Sequence, residues 1–253
     1  MNIVTYDGSF EGLLTAIFEV YEYKIELPFI CKELNTSVSL FGKIHHSIFN
    51  EDKSRRVFEK LKDKLSAKSF SKLYAVYLSE IKDIEIVLLR FVQHVLANKN
   101  SVENDYSHPD VLMVQQTDKK VHREKHRMEA FVRFQCTKDQ LYYAIIQPDY
   151  NVLPLIKKHF EKRYADQRWL IYDSQRKYGL YYDLEKTEEV SMSFETDLNN
   201  ASALKEILDE KEELYQTLWQ QYFQSVNIKA RKNMKLHIQH MPKRYWKFLV
   251  EKK

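Results

Sequence analysis

Residues able to do chemistry are densest between His122 and Asp183, above all in H-R-E-K-H-R-M-E-A-F-V-R-F at His122–Phe134. His122 and His126 stand four apart, the spacing at which two imidazoles on one helical face can share a metal ion. The pattern differs from H-E-x-x-H, because Glu124 does not follow His122 directly and leaves a helix on another side. Lys119, Arg123, Lys125 and Arg127 surround the pair with positive charge, which opposes a dication. Phosphate contact or a solvated basic face suits this set better, and no metal site is expected. For proton transfer the candidates are His126 with Glu124 or Asp166. Nothing in their spacing is specific.

Two further stretches mix cations with aromatic residues. Lys157, Lys158, His159, Lys162, Arg163 and Arg168 crowd a short interval with Tyr164 and Trp169, and Asp166-Gln167-Arg168-Trp169 reads as a turn leading into a strand. The terminal arm from Lys229 to Lys253 carries Arg231, Lys232, Lys243, Arg244 and Lys247 among Tyr245, Trp246 and Phe248. Such interleaving suits phosphate contacts plus base stacking. Arg127, Arg133, Arg163, Gln167, Arg168, Trp169, Arg231, Lys232, Arg244, Tyr245 and Trp246 are therefore the candidate nucleic-acid-binding residues. The bland alternatives are an ion pair for Arg133, with an acid such as Glu124, and terminal aromatics that close the core while the lysines stay solvated.

The elements that must position these residues are legible by periodicity. Ile3–Tyr6 reads as a short strand, Asp7-Gly8-Ser9 as a turn and helix N-cap, and Phe10, Leu13, Leu14, Ile17, Phe18 and Tyr21 as a helical stripe. Val38–Ile48 reads as strands or a hairpin, and Ser54–Leu65, Phe70–Ser79 and Ile84–Ala97 as helices. Polar Asn98–His108 reads as a linker, and a helix entered at Pro109 extends to roughly Glu129. Ala130–Gln135, Gln140–Gln147, Trp169–Asp173, Gly179–Asp183 and Glu189–Phe194 are rich in aromatic and β-branched residues, as strands are. A helix over Val152–Tyr164 separates the second strand from the third. The apolar residues between Leu204 and Phe223 form a last helical face. The expectation is an α+β protein: a helix-rich N-terminal part with short strands over 1–97, a linker over 98–108, and a mostly antiparallel sheet with flanking helices and a basic C-terminal arm over 109–253.

Composition narrows the function classes. The chain has 253 residues, net charge +4, 44% hydrophobic residues, 4 Gly and 5 Pro. That is enough apolar material for a core and too little glycine for a nucleotide cradle. Charge is unevenly placed: residues 183–213 hold eleven acids against three bases, and residues 226–253 hold nine bases against one acid. The basic end suggests a polyanionic partner or pairing with the acidic stretch. Cys31 and Cys136 are too few for a four-cysteine iron–sulfur cluster. No cofactor is expected, and reduced thiols in a cytoplasmic protein are the economical reading. No signal-peptide pattern opens the sequence, and no apolar run approaches the roughly 20 residues that cross a membrane. Walker, G-x-G-x-x-G, zinc-ribbon and G-x-S-x-G patterns are all missing from the sequence.

Y-D-G-S-F-E-G at Tyr6–Gly12, E-K-H-R-M-E-A-F-V-R-F, P-D-Y-N-V-L-P-L-I, R-Y-A-D-Q-R-W-L-I-Y-D, Y-G-L-Y-Y-D and M-P-K-R-Y-W-K together resemble a bacterial family of domains of unknown function that carries a DNA-metabolism label. The resemblance spans nearly the whole chain. It implies a setting of DNA repair or modification, since such proteins are encoded beside a radical-SAM DNA modification or repair protein and similar domains occur fused to uracil-DNA glycosylase-like domains. No catalytic residue follows from it; the matching positions are candidates only. The leading expectation is a DNA-binding accessory protein working with a radical-SAM partner. An enzyme acting on a modified nucleobase or its glycosidic bond is the alternative, with Arg133 stabilising developing negative charge. A third reading is self-association of the basic arm with residues 183–213 of another copy.

Overall fold

The computed structural model describes residues 2–32, 43–191, 212–225 and 234–252. The chain is α+β and divides into two compact units, Met1–His122 and Arg123–Lys253.

The first unit is built on a three-stranded sheet. Strands β1 (Asn2–Tyr6), β2 (Pro28–Lys32) and β3 (Ile44–His46) lie in the order β2-β1-β3, all parallel. Helix α1 (Phe10–Glu22) follows β1 through the expected turn. Asp7 Oδ1 accepts from the Ser9 amide at 2.8 Å, and Ser9 Oγ accepts from the Gly12 amide at 2.9 Å, which caps the helix. Leu13, Leu14, Ile17 and Val20 bury the inner stripe of α1, and Ile3, Val4 and Tyr6 are buried on β1. Helices α2 (Glu51–Lys64), α3 (Ala67–Tyr77) and α4 (Ile84–Ala97) match the three periodic segments. Asn50 and Ser66 cap α2 and α3 through their side-chain oxygens.

The sequence reading contains no strand at Pro28–Lys32, yet β2 forms there; only its central residue Ile30 is buried, so the segment lacks a conspicuous apolar pattern. Within Val38–Ile48, Ile44–His46 pairs in parallel with β1 rather than as an arm of a hairpin, and residues 38–42 lie outside the described residues. Helix α5 (Pro109–Phe131) runs past Glu129 and takes in Ala130 and Phe131, which alternation assigned to a strand. Val121, Met128 and Val132 are buried at spacings of seven and four, so the helical stripe continues where the local pattern also fits a strand. The boundary between the two units falls within α5, after His122.

The second unit carries a five-stranded sheet in the order β4-β5-β6-β7-β8: Gln135–Cys136, Tyr142–Ile146, Trp169–Asp173, Tyr178–Tyr182 and Thr187–Ser191. Three of its four pairings are antiparallel, and β5 with β6 is parallel. A parallel neighbour requires a crossover, and α6 (Leu153–Arg163) supplies it, with Pro154 in its first turn. Leu153, Ile156 and Phe160 bury one face of α6; Trp169, at the start of β6, packs against Phe134, Phe160 and Tyr182. Gly179 is required on β7, since a Cβ there would lie 2.8 Å from the Ile171 carbonyl oxygen. Helices α7 (Glu212–Ser225) and α8 (Met234–His240) and two 3₁₀ turns, Lys243–Phe248 and Val250–Lys252, complete the described chain. Residues 204–211 and 192–194, assigned above to a helix and a strand, lie outside the described residues.

Candidate functional site

Because β5 and β6 are parallel, their carboxyl ends lie side by side, and the loops that follow both emerge at one end of the sheet. Ligands of parallel β-α-β units bind at that end. The loop after β5 spans residues 147–152, and the tight turn after β6 spans residues 174–177. The 3₁₀ turn Lys243–Phe248 adds a third wall. Gln147, Asp149, Gln175, Lys243, Arg244 and Lys247 line a groove of about 380 Å³ between these three segments, all within the second unit.

A buried cluster holds the groove in shape. Asp173, fully buried, accepts from the Gln175 and Arg176 amides at 2.9 and 3.2 Å and pairs with Arg176 Nη1 at 2.8 Å. The same guanidinium donates to the Pro148 carbonyl at 3.1 Å and, through Nη2, to the Asp149 carbonyl at 3.3 Å. Arg176 thereby ties the β5–α6 loop to the β6–β7 turn. Helix α5 contributes Glu124, 1% exposed. Its oxygens accept from the Tyr245 hydroxyl at 2.6 Å, from Arg244 Nη2 at 2.9 Å and from the Asp149 amide at 2.9 Å, with Arg127 Nη1 3.5 Å away. A buried carboxylate so surrounded has its charge compensated and its lone pairs satisfied.

Charge at the groove is graded. Burial pushes the Asp149 carboxyl above its ordinary range and Glu124 pushes it further, against the pull of Arg244, Arg127 and Arg176. Burial, then Glu124, also raises the Tyr245 phenol, so it stays protonated and donates. Arg244 is held in its charged form: burial works against the cation, and Glu124, Tyr245 and Asp149 outweigh it. Lys247 Nζ donates to Gln147 Oε1 at 2.5 Å, and Lys243 Nζ lies 5.9 Å from the centre of the Trp246 ring. Three cations and two amides against one carboxylate suit an oxyanion with several acceptor oxygens.

The structure distributes the sequence candidates unevenly. Arg244 lines the groove, and Arg127 and Glu124 lie directly behind it. Tyr245 is buried, with its hydroxyl on Glu124, so its ring cannot stack a base. Trp169 is fully buried and is likewise a core residue. Trp246 is half-buried and donates Nε1–H to the Met241 carbonyl at 3.0 Å. Arg133 forms the ion pair weighed as its bland role, but with Glu251, 2.8 Å away, rather than Glu124; its guanidinium also lies 5.5 Å from the Trp219 ring centre. Arg163 is exposed beside Tyr164, Arg168 is exposed and donates to the Asp139 carbonyl at 2.6 Å, and Gln167 lies between them in the turn. His126, 85% exposed, is 4.0 Å from Glu129. It stands two residues from Glu124 on α5 and leaves the helix on another side. Asp166 is exposed in the turn before β6. Arg231 and Lys232 lie outside the described residues. No group of three or more His, Cys, Asp or Glu that could hold a metal ion occurs among the described residues.

Sequence reasoning passed over Gln147 and Gln175 and counted Lys243 and Lys247 only as part of a basic arm. The available signal was positional: Gln147 ends the predicted strand Gln140–Gln147, and Asp149 and Gln175 fall just after predicted strands, where sites on sheets are mounted.

A family model described as a domain of unknown function (DUF4130) matches residues 82–251, which contain every residue of this groove and its supporting cluster. The chain belongs to the DUF4130 family. No curated protein matches it. A solved structure of the pGpG-specific phosphodiesterase PggH from Vibrio cholerae is similar at 11% identity and a TM-score of 0.31, over 86% of this chain and 96% of that one. At that score the likeness carries no argument about this DUF4130 protein. Among the described residues, no helix is long and apolar enough to cross a membrane.

Proposed function

We propose that this protein binds DNA through its phosphates and serves as an accessory subunit in DNA repair or modification. The carrying observation is the groove at the carboxyl ends of β5 and β6, where Lys243, Arg244 and Lys247 face one lining carboxylate. Exposed Lys158, Lys162, Arg163 and Arg168, on α6 and the turn after it, add cations to the same unit. Cations that neutralise phosphates release condensed counterions, and such a surface binds polyanions with an affinity that falls steeply with salt. The resemblance to proteins of DNA metabolism supports DNA as the polyanion. It also supports a radical-SAM partner, which would have to bring its own cluster, since Cys31 and Cys136 cannot provide four thiolates.

Fluorescence anisotropy with single-stranded and duplex DNA across a salt series tests this reading. The expected result is binding whose logarithm falls linearly with log salt; weak, salt-insensitive signals with both DNA forms would remove it. A second reading, an enzyme acting on a modified base or its glycosidic bond, draws on Asp149, whose raised carboxyl faces the groove and suits proton transfer. It requires the purified protein alone to release product from modified DNA.

A further inference from the structure

We infer that Asp149 occupies the seat on Arg244 that a DNA phosphate takes, so that binding exchanges one anion for another. The inference rests on the DNA-binding reading above and assigns the groove an internal competitor.

The geometry separates two carboxylates that share one guanidinium. Arg244 Nη2 lies 2.9 Å from Glu124 Oε2 and 2.7 Å from Asp149 Oδ2. Glu124 cannot leave. It is buried, it accepts the Tyr245 hydroxyl on both oxygens, and withdrawing Arg244 from it would strand a charge in the interior. Asp149 can leave, because its side chain is half exposed and lines the groove. Its backbone stays fixed meanwhile: the amide donates to Glu124 at 2.9 Å and the carbonyl accepts from Arg176 at 3.3 Å. Rotation of the side chain alone therefore opens the seat without disturbing the loop.

The charges around Asp149 favour that exchange. Glu124 and Arg127 face it from α5, Arg176 from the β6–β7 turn, and Lys243, Arg244 and Lys247 from the 3₁₀ turn. Guanidinium binds carboxylate and phosphate oxygens through the same N–H groups, so an arriving phosphate satisfies Arg244 as Asp149 does. The phosphate also gains the lysines, while Asp149 gains water and escapes Glu124. An ion pair that served only to shape the groove would behave oppositely: removing Asp149 would disorder Arg244 and weaken binding.

The test compares wild type, Asp149→Asn and the double variant Lys243→Ala/Lys247→Ala, using a fluorescent single-stranded oligonucleotide at low salt. Asp149→Asn keeps the backbone contacts and removes the competing charge. It is expected to bind roughly two- to fivefold more tightly, the scale of one exposed charge pair. Wild-type affinity should also rise as pH falls through the Asp149 carboxyl, and that rise should be lost in Asp149→Asn. Unchanged or weaker binding by Asp149→Asn, with binding still impaired in the lysine variant, overturns the exchange and leaves DNA binding standing. If neither variant changes binding, the groove is not the DNA site: the exchange falls, and the DNA contacts lie elsewhere on the protein.

Discussion

The Tyr245 hydroxyl donates to both carboxylate oxygens of Glu124 at 2.6 Å, joining the terminal 3₁₀ turn to α5 across 121 positions of sequence. This buried bond fixes the residue next to Arg244 and hence the back wall of the groove. Tyr245→Phe keeps the ring and deletes one donor to a buried carboxylate. The expected loss is about 1–3 kcal/mol of unfolding free energy in urea. DNA affinity of the folded variant should stay near wild type, because the ring is buried; a large loss of affinity at unchanged stability would show that Tyr245 touches the ligand.

Glu251 makes the corresponding contact behind Arg133. Burial alone would raise its carboxyl, but hydrogen bonds from Arg133 and Trp219 and the charge of Arg133 hold it below the usual range. A carboxyl depressed on folding contributes stability that is present above its unfolded value, about 4.3, and is lost as pH falls through the folded value. Wild type should therefore be more stable than Glu251→Gln near neutrality, and the gap should narrow under acid conditions. Chemical unfolding of both proteins from pH 7 downward measures this. A gap that widened toward low pH would contradict the assigned pairing.

Gly12 offers a test in which an ordinary gain is offset. Glycine to alanine inside a helix ordinarily stabilises by about 1 kcal/mol. Here the added Cβ would fall 2.0 Å from Asp7 Oδ1 and 2.8 Å from Ser9 Oγ, the atoms that build the α1 cap. Displacing that cap costs about 1 kcal/mol, which offsets the ordinary gain, so Gly12→Ala should leave stability at or below wild type. A rise in Tm would show that Asp7 and Ser9 do not hold these positions.

Trp169 separates the two roles proposed for aromatic residues here. It is fully buried against Phe134, Phe160 and Tyr182, so Trp169→Ala should cost on the order of 3–5 kcal/mol as a core truncation. Trp169→Phe, which retains a ring, should leave DNA affinity unchanged in anisotropy. A selective drop in affinity for the phenylalanine variant would return Trp169 to the binding surface.

Local patterns were legible wherever one element buried one face. The stripe Phe10, Leu13, Leu14, Ile17, Phe18 and Tyr21 and the D-G-S cap disclose α1, although Tyr21 is exposed and Val20 takes the inner position, and dense aromatic and β-branched residues disclose β5, β6 and β7. What escaped depends on distance along the chain. Nothing near Ile44 shows that it pairs in parallel with Ile3, and nothing near Arg133 shows that its acid is Glu251. Ala130–Phe134 satisfies both a strand and a helix period; the helix takes Ala130 and Phe131, and the Val132 amide closes it on the Met128 carbonyl at 3.1 Å, so that the strand begins only at Gln135. The groove escaped for the same reason. Gln147, Gln175 and Lys247 are unremarkable singly, and only the parallel ends of β5 and β6 and the terminal turn bring them together.

The most direct test of DNA binding at this groove is the salt dependence of duplex affinity for wild type against Lys243→Ala/Lys247→Ala. Each phosphate contact on duplex DNA contributes about 0.9 to the slope of log affinity against log salt. Loss of two lysine contacts should weaken binding at low salt and flatten the slope by about 1.8. Wild-type affinity and slope in the double variant, in protein that remains folded, would place the DNA contacts elsewhere and contradict the assignment.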